Sequence, residues 1–357
     1  MNTNEKILDE IVGFAVDIQR YEATVQNEVL KQLKTLETKV LKELRESEVA
    51  DTLRKQTQQN RLKALLIKTK KTITDTYKEI SNAQIQTLKE VAELSELQVI
   101  SSINTSLGVV IVNPSLSKTM INTIASDTLI EGAPTKEWWS RRNSQFQSRF
   151  EDTVRMGMMQ GITTNQIVAS LRGTKANRYK DGAFNSTFNG ASALVRSSIQ
   201  TVANTANVAS FEQNKDLIKA IEWSSTFDNR TSEICMALDG LQWDMNYKPI
   251  GHNKIFPGAT AHWNCRSRQV PVTKSFAELG SKRKFKKIPE GTRASMDGQV
   301  SGGKNYEEWL LGKSKAFQIE VLGVEKRKLW KAGKIGFNDL INQRGNPLTL
   351  AEIKRKI

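Results

Sequence analysis

Ile7, Ile11, Phe14, Ile18, Tyr21 and Val25 recur in alternating steps of four and three, and no proline occurs before residue 114. Only an α-helix gathers such positions onto one face, and the spacing is that of a heptad seam. The stripe continues more loosely through Val29, Leu33, Leu36, Val40 and Leu44. It pauses in the polar stretch Arg54–Asn60 and resumes at Leu62, Leu66, Ile73, Tyr77, Ile80, Leu88 and Val91. Residues 5–100 are therefore predicted to form two long helices joined by a bend, as an αα-hairpin or as a coiled coil with another chain. Such an arm either packs on its own chain or serves self-association and docking. The seam alone is compatible with both.

Charge divides the chain. The net charge is +15, yet residues 1–113 carry 16 basic and 16 acidic residues of the total 53 and 38. The whole excess belongs to residues 114–357, as do all 7 tryptophans and all 7 prolines. A cationic half favours an acidic partner, most simply nucleic acid, over a merely solvated surface. The start lacks a basic segment followed by an apolar run, so no secretory signal is read there. No apolar run is long enough to span a bilayer. Leu107–Val112 reads instead as a buried strand, within a nearly uncharged hinge from Ser101 to Asp127. Two cysteines do not make a disulfide scaffold and fit synthesis in a reducing cytoplasm.

Beyond the hinge, Trp139, Phe146, Phe150 and Val154 keep helical spacing. Thr163 with Gln166 forms a capping box for a helix burying Ile167 and Leu171 and stopping at Gly173. Val195, Ile199, Val202, Ala206 and Ala209 make another stripe, flanked by residues small enough for close helix contact. Ile218–Thr226 alternates as a strand. Asp228, Arg230 and Thr231 supply turn and cap chemistry for a short helix that carries Cys235 and ends at Gly240. Gln269–Val272 is a further strand. Tyr306, Trp309, Leu310, Val321, Leu322 and Leu329 suggest small helices, and Thr349 starts a last one. The expected fold class is α+β, mainly α: a long N-terminal helical hairpin or coiled coil (1–113), a helical block with a strand-bearing hinge (114–217), a small β-containing Cys/His element (218–275) and a basic tail with short helices (276–357).

The chain's only two cysteines and two histidines, Cys235, His252, His262 and Cys265, lie in that small element. Thiolate and imidazole are ligands that zinc selects, and four of them would suit a closed structural site. His262-x-x-Cys265 has the spacing of a half-site on a tight turn, with Cys235 and His252 as the remaining donors. Ordinary buried thiols and a Cys235–Cys265 disulfide remain alternatives. Asp228, Arg230, Glu233 and His262 could be drawn as an acid–base cluster. No phosphate loop, nucleophile elbow or paired-carboxylate pattern accompanies them, so no enzyme is read here.

The pattern Trp223-x-x-x-x-Asp228-x-Arg230-Thr231-Ser232-x-x-Cys235-x-x-x-Asp239-Gly240, followed by Pro257 and His262-x-x-Cys265-Arg266, resembles the phage head morphogenesis family, the Mu F-like minor head proteins of tailed bacteriophages. The resemblance covers about residues 135–275. It implies a minor capsid protein in the virion, made in the bacterial cytoplasm, and associated with the portal protein and head interior. It also implies a part in head assembly and in packaging or ejection of phage genomic DNA; self-association through the N-terminal helices is a reading of their seam, beside docking on the portal. The family often shows His-Pro-x-Cys-Arg-Cys; here Trp263 replaces the proline and Ser267 the second cysteine, which weakens a carried-over metal site unless His252 compensates. Nonspecific DNA contact falls to Arg266, Arg268, Lys274, Lys282, Arg283, Lys284, Lys286 and Lys287, by salt-sensitive phosphate neutralisation. The competing readings are an ejected effector acting enzymatically in the host and a membrane-active ejection protein using residues 97–113.

Overall fold

The computed structural model describes residues 3–50, 55–275, 278–279 and 292–357. Helices α1 (Thr3–Ser47) and α2 (Lys55–Leu107) come first. They are followed by α3 (Lys118–Asp127), the short strands β1 (Leu129–Ile130) and β2 (Ala133–Pro134), and helices α4 (Thr135–Met159), α5 (Thr164–Arg172) and α6 (Ala183–Gln213). The strand-bearing part comprises β3 (Ile218–Ser224), α7 (Glu233–Leu238), β4 (Gln242–Asp244), β5 (Pro249–Ile250), β6 (Arg268–Thr273), β7 (Thr292–Ser295) and β8 (Gly298–Ser301). Helices α8 (Tyr306–Leu311), α9 (Lys315–Leu322) and α10 (Val324–Lys331), a 3-10 turn at Phe337–Leu340 and α11 (Leu350–Lys354) complete the chain. The fold is mainly helical, with a small C-terminal region of strands. Among the described residues no helix is long and apolar enough to cross a membrane.

Two compact units form. One comprises 20–89 and 125–199, the other 1–19, 90–124 and 200–357.

In the first unit α1 and α2 run antiparallel. The Thr72 hydroxyl donates to Glu43 Oε1 at 3.0 Å, and Arg61 reaches Glu48 at 3.1 Å. The predicted seam is the buried face: Val25, Val29, Leu33, Leu36, Val40 and Leu44 on α1 meet a core with Ile73, Tyr77 and Ile80 on α2. Helix α4 adds Trp139, Phe146, Phe150 and Val154, with the Trp139 ring centroid 6.2 Å from that of Tyr77. Arg196 on α6 pairs with buried Glu22 at 2.8 Å. The predicted capping box is present: Thr163 accepts from Gln166 N–H, and the Gln166 side chain accepts from Thr163 N–H at 2.8 Å.

The loop between α5 and α6 is tied by Asp181, which accepts from Thr174 N–H and Oγ1, both at 2.8 Å, and from Asn177 Nδ2 at 2.9 Å. These bonds, the Asn177 one foremost, hold the Asp181 carboxyl down at about 2. The loop closes where Gly173 and Gly182 meet. A Cβ on Gly182 would lie 2.3 Å from the carbonyl carbon and oxygen of Arg172, backbone atoms that cannot rotate away. Gly182→Ala is therefore expected to cost about 2 kcal/mol, as overpacking does, read as a lower urea midpoint with unchanged slope. An unchanged midpoint would mean the loop closes differently.

The second unit is built on an antiparallel sheet of order β5-β4-β3-β6, with β3 central. Ile218, Ile221, Val270 and Phe211 form a core with Ile7 and Ile11 of α1 and Val99 and Ile103 of α2. The later part of α6 packs through polar side chains. Asn204 Nδ2 donates to the carbonyls of Ala259 (2.8 Å) and Ser267 (2.9 Å) and so holds the segment leading into β6. A second core joins the sheet to the C-terminal helices: Trp223, Phe227, Leu238 and Trp243 pack with Tyr306, Trp309, Leu310, Trp330 and Phe337.

The strand expected at Leu107–Val112 does not form. Helix α2 continues to Leu107 and stops at Gly108, whose φ of 71° is left-handed. The Asn104 side chain then takes the place of a partner strand. Its Oδ1 accepts from Ile111 and Val112 N–H, both at 2.9 Å, and its Nδ2 donates to Val112 O at 2.7 Å. Val109, Val110 and Ile111 are exposed and only Val112 is buried.

Candidate metal centre

Ser232 N-caps α7, accepting from Cys235 N–H at 3.2 Å, and thereby places Cys235 on the helix face turned into the core. The opposite wall is the turn His262–Cys265, closed by Cys265 N–H on His262 O at 3.2 Å. Asn264 occupies the left-handed region there (φ 60°), which asparagine tolerates better than most residues. The turn delivers both side chains to the same side. Ligand atoms of Cys235, His262 and Cys265 all lie within 4.8 Å of one another, and both cysteines are buried.

The two thiols are free, with Sγ atoms 3.7 Å apart. That is far beyond the roughly 2.05 Å of a disulfide. It is close to the edge of about 3.8 Å that two sulfurs make on a tetrahedral zinc with bonds of about 2.3 Å. His262 Nδ1 lies 2.8 Å from the Trp263 carbonyl and donates to it. Its Nε2 lone pair is thereby turned toward Cys235 Sγ, at 3.1 Å, and the Ser232 hydroxyl, at 2.7 Å. A ligating histidine is oriented in this way, with its other nitrogen on a backbone carbonyl. The Cys265 hydrogen bond pulls the Cys235 thiol down against the opposing effect of burial, with help from Ser267, Ser232 and the charge of Arg266. Cys265 is pushed well up by its bond to Cys235, by burial and by the Cys235 charge. Thiols ligate as thiolates, so a divalent cation bound here would drive off their protons. The donor set suits a metal, with three protein ligands.

His252 is not brought into this group. Its Nε2 donates to Gln242 O at 2.8 Å, its Nδ1 accepts from Lys254 N–H at 3.2 Å, and its ring meets Trp243 edge-on at 4.9 Å. This candidate fourth ligand is a structural part of the β4–β5 region. Ser267, where the resemblance expects a second cysteine, is buried with its hydroxyl on Ser225 Oγ at 3.3 Å, and it lies near enough to Cys235 to help lower that thiol.

Asp228 accepts from Arg230 N–H at 3.0 Å and from the Thr231 hydroxyl at 3.1 Å, as a turn residue does. It also takes a two-pronged bond from Arg266, at 2.6 and 2.8 Å. Burial works to raise the Asp228 pKa, but the Arg266 hydrogen bonds and charge prevail and hold it below the usual carboxylate range. Arg268 is buried and donates to Asn204 Oδ1 at 3.3 Å. Lys274 is half-buried at the end of β6, its N–H on Leu217 O at 2.7 Å. Arg230 is exposed, and Gly240, with φ 78°, bonds Trp223 O at 2.8 Å. Lys282, Arg283, Lys284, Lys286 and Lys287 lie outside the described residues.

The residue that organises this region received no role from the sequence. Asp239, just after α7, accepts from Ser225 N–H (2.7 Å), Tyr306 N–H (2.8 Å) and both terminal nitrogens of Arg293 (2.6 and 3.3 Å). Its side chain is 1% exposed and that of Arg293 3%. The guanidinium lies 4.2 Å over the Phe227 ring and also donates to Ser225 O and Lys304 O. An Asp-Gly after a short helix signals a turn; nothing in the sequence signals its arginine 54 positions later.

Residues 148–270 match the family described as Phage Mu protein F like protein. The matched stretch runs from the later part of α4 through the Cys/His turn into β6. No curated protein and no solved structure matches the chain.

Proposed function

We propose that the chain is a minor structural protein of a tailed-phage head, located at the portal vertex or head interior, whose Cys/His element is held by zinc. The single observation carrying this reading is the family match over residues 148–270, which ends just past the turn bearing His262 and Cys265. Cys235, His262 and Cys265 would hold the metal. It would cross-link α7 to the turn that carries His262 and Cys265. The helical hairpin within 1–113 docks on the portal or on copies of itself. The basic residues from Lys282 to Lys287 neutralise phosphates of the packaged genome. No activity is assigned.

Quantitative mass spectrometry of washed, DNA-filled heads is expected to find the chain in few copies beside the portal protein. Particles assembled without it are expected to lose packaged DNA or infectivity. Heads that lack the chain, yet package and infect normally, would defeat the reading.

A further inference from the structure

The segment after β5 and the segments around the 3-10 turn and the C-terminus enclose an open cleft of about 1090 Å³. Lys254, Arg344 and Lys356 line it against a single carboxylate, Asp339. One Asp339 oxygen is already committed to Gly336 N–H at 2.8 Å. Five primary amides, Asn253, Asn338, Asn342, Gln343 and Asn346, supply most of the remaining wall. The Asn342 carbonyl oxygen is occupied by the N–H groups of Arg344 (2.9 Å) and Asn346 (3.0 Å), which turns its NH₂ donors elsewhere. Ile341 is the one apolar side chain of the lining.

Lys254 is 7% exposed, with its ammonium on Ile341 O at 2.9 Å. Burial, and after it the charge of Lys356, pull its pKa down, while Asp339 opposes. Two ammonium groups and a guanidinium therefore line a site with one partly used carboxylate. The arrangement is relieved by an anion between them.

We propose that this cleft binds a nucleic-acid strand, with Lys254, Arg344 and Lys356 on phosphate oxygens and the amides on sugar and base edges. The chemistry fits for three reasons. The lining is too polar for the apolar pocket that a compact small ligand prefers, and its volume lies above the usual range of about 300–1,000 Å³. Positive charges spread along an open cleft match an anion that repeats its charge along a chain. Asn and Gln side chains present a donor and an acceptor together, as base edges do, whereas an acidic peptide needs only cations. The proposal deepens the genome contact inferred above by giving it a built site.

The test uses full-length protein and fluorescence anisotropy at low salt, with a labelled DNA duplex and its separated single strand as probes. Arg344 and Lys356 are exposed, so R344A/K356A should melt as the parent does. Its affinity for at least one probe should fall about tenfold or more, with the salt slope reduced by about two. A second variant replaces the five basic residues of 282–287 with glutamine. If binding survives in R344A/K356A and vanishes in the second variant, the cleft assignment is overturned and the genome contact stands. If the parent binds neither probe, both fail. Polyglutamate competing as well as unlabelled DNA would overturn the assignment to nucleic acid.

Discussion

Asp239→Ala is expected to lower the unfolding free energy by about 3–5 kcal/mol, the range for removing one partner of a buried ion pair. The reason is what stays behind. Arg293 would remain charged, 3% exposed, and pinned over Phe227. The Ser225 and Tyr306 N–H groups would also lose their acceptor, at about 1–3 kcal/mol for each group left unsatisfied; the terms overlap rather than add. Adding Arg293→Met should recover part of the loss, because it removes the stranded charge, and leave the part owed to the two N–H groups. Asp228→Ala should cost less than Asp239→Ala, since Asp228 and Arg266 are 10% and 16% exposed and water can reach them. Urea midpoints for the four proteins decide it. A loss under about 1 kcal/mol for Asp239→Ala would show that the pair is solvated, since exposed pairs contribute no more than that.

Purified protein is expected to carry one zinc per chain by elemental analysis. Chelation should lower its stability by about 4 kcal/mol when zinc had been present at a thousandfold over its dissociation constant. Cys235→Ser and Cys265→Ser should each abolish binding, whereas His252→Ala should leave it intact because that ring serves Gln242 and Lys254. Ser267→Cys, which adds a fourth donor beside Cys235, should tighten binding at least about tenfold, in line with the effect expected of one ligand-shell change. The sign with pH follows from the thiols. Cys265 is held protonated well above its usual pKa, so zinc must displace that proton, and affinity falls as pH falls. Zinc retained equally by the Cys265→Ser protein, or none in the parent, would remove the metal from the account.

Sequence reasoning succeeded where local chemistry decides. The heptad seam is the buried face of α1 because amphipathic periodicity survives any choice of partner, and Thr163 with Gln166 caps α5 through bonds three residues long. The mainly helical class and the Cys/His group followed from such signals. It failed where a long-range partner decides. Leu107–Val112 is apolar enough for a strand, but a run of six cannot be told from a helix end by periodicity, and Asn104 takes its backbone groups. His252 is near Cys235 in number, yet the chain turns its ring onto Trp243. Arg266 counted as surface charge until Asp228, 38 residues earlier, was seen to hold it. Asp239 stands in the quoted pattern without a role and Arg293 outside it, because a buried ion pair joins positions 54 residues apart with no local signal of the partner.

The core that Trp223, Phe227 and Leu238 share with Tyr306, Trp309 and Phe337 bears on the order in which the protein can be made. While the ribosome has delivered only the first 275 residues, the aromatic face of the Cys/His element is uncovered and Asp239 awaits its guanidinium. Burial of that face must wait for the last several dozen residues. A prematurely terminated or clipped product should therefore be a sticky species that associates through the bare face, not a smaller working version of the whole.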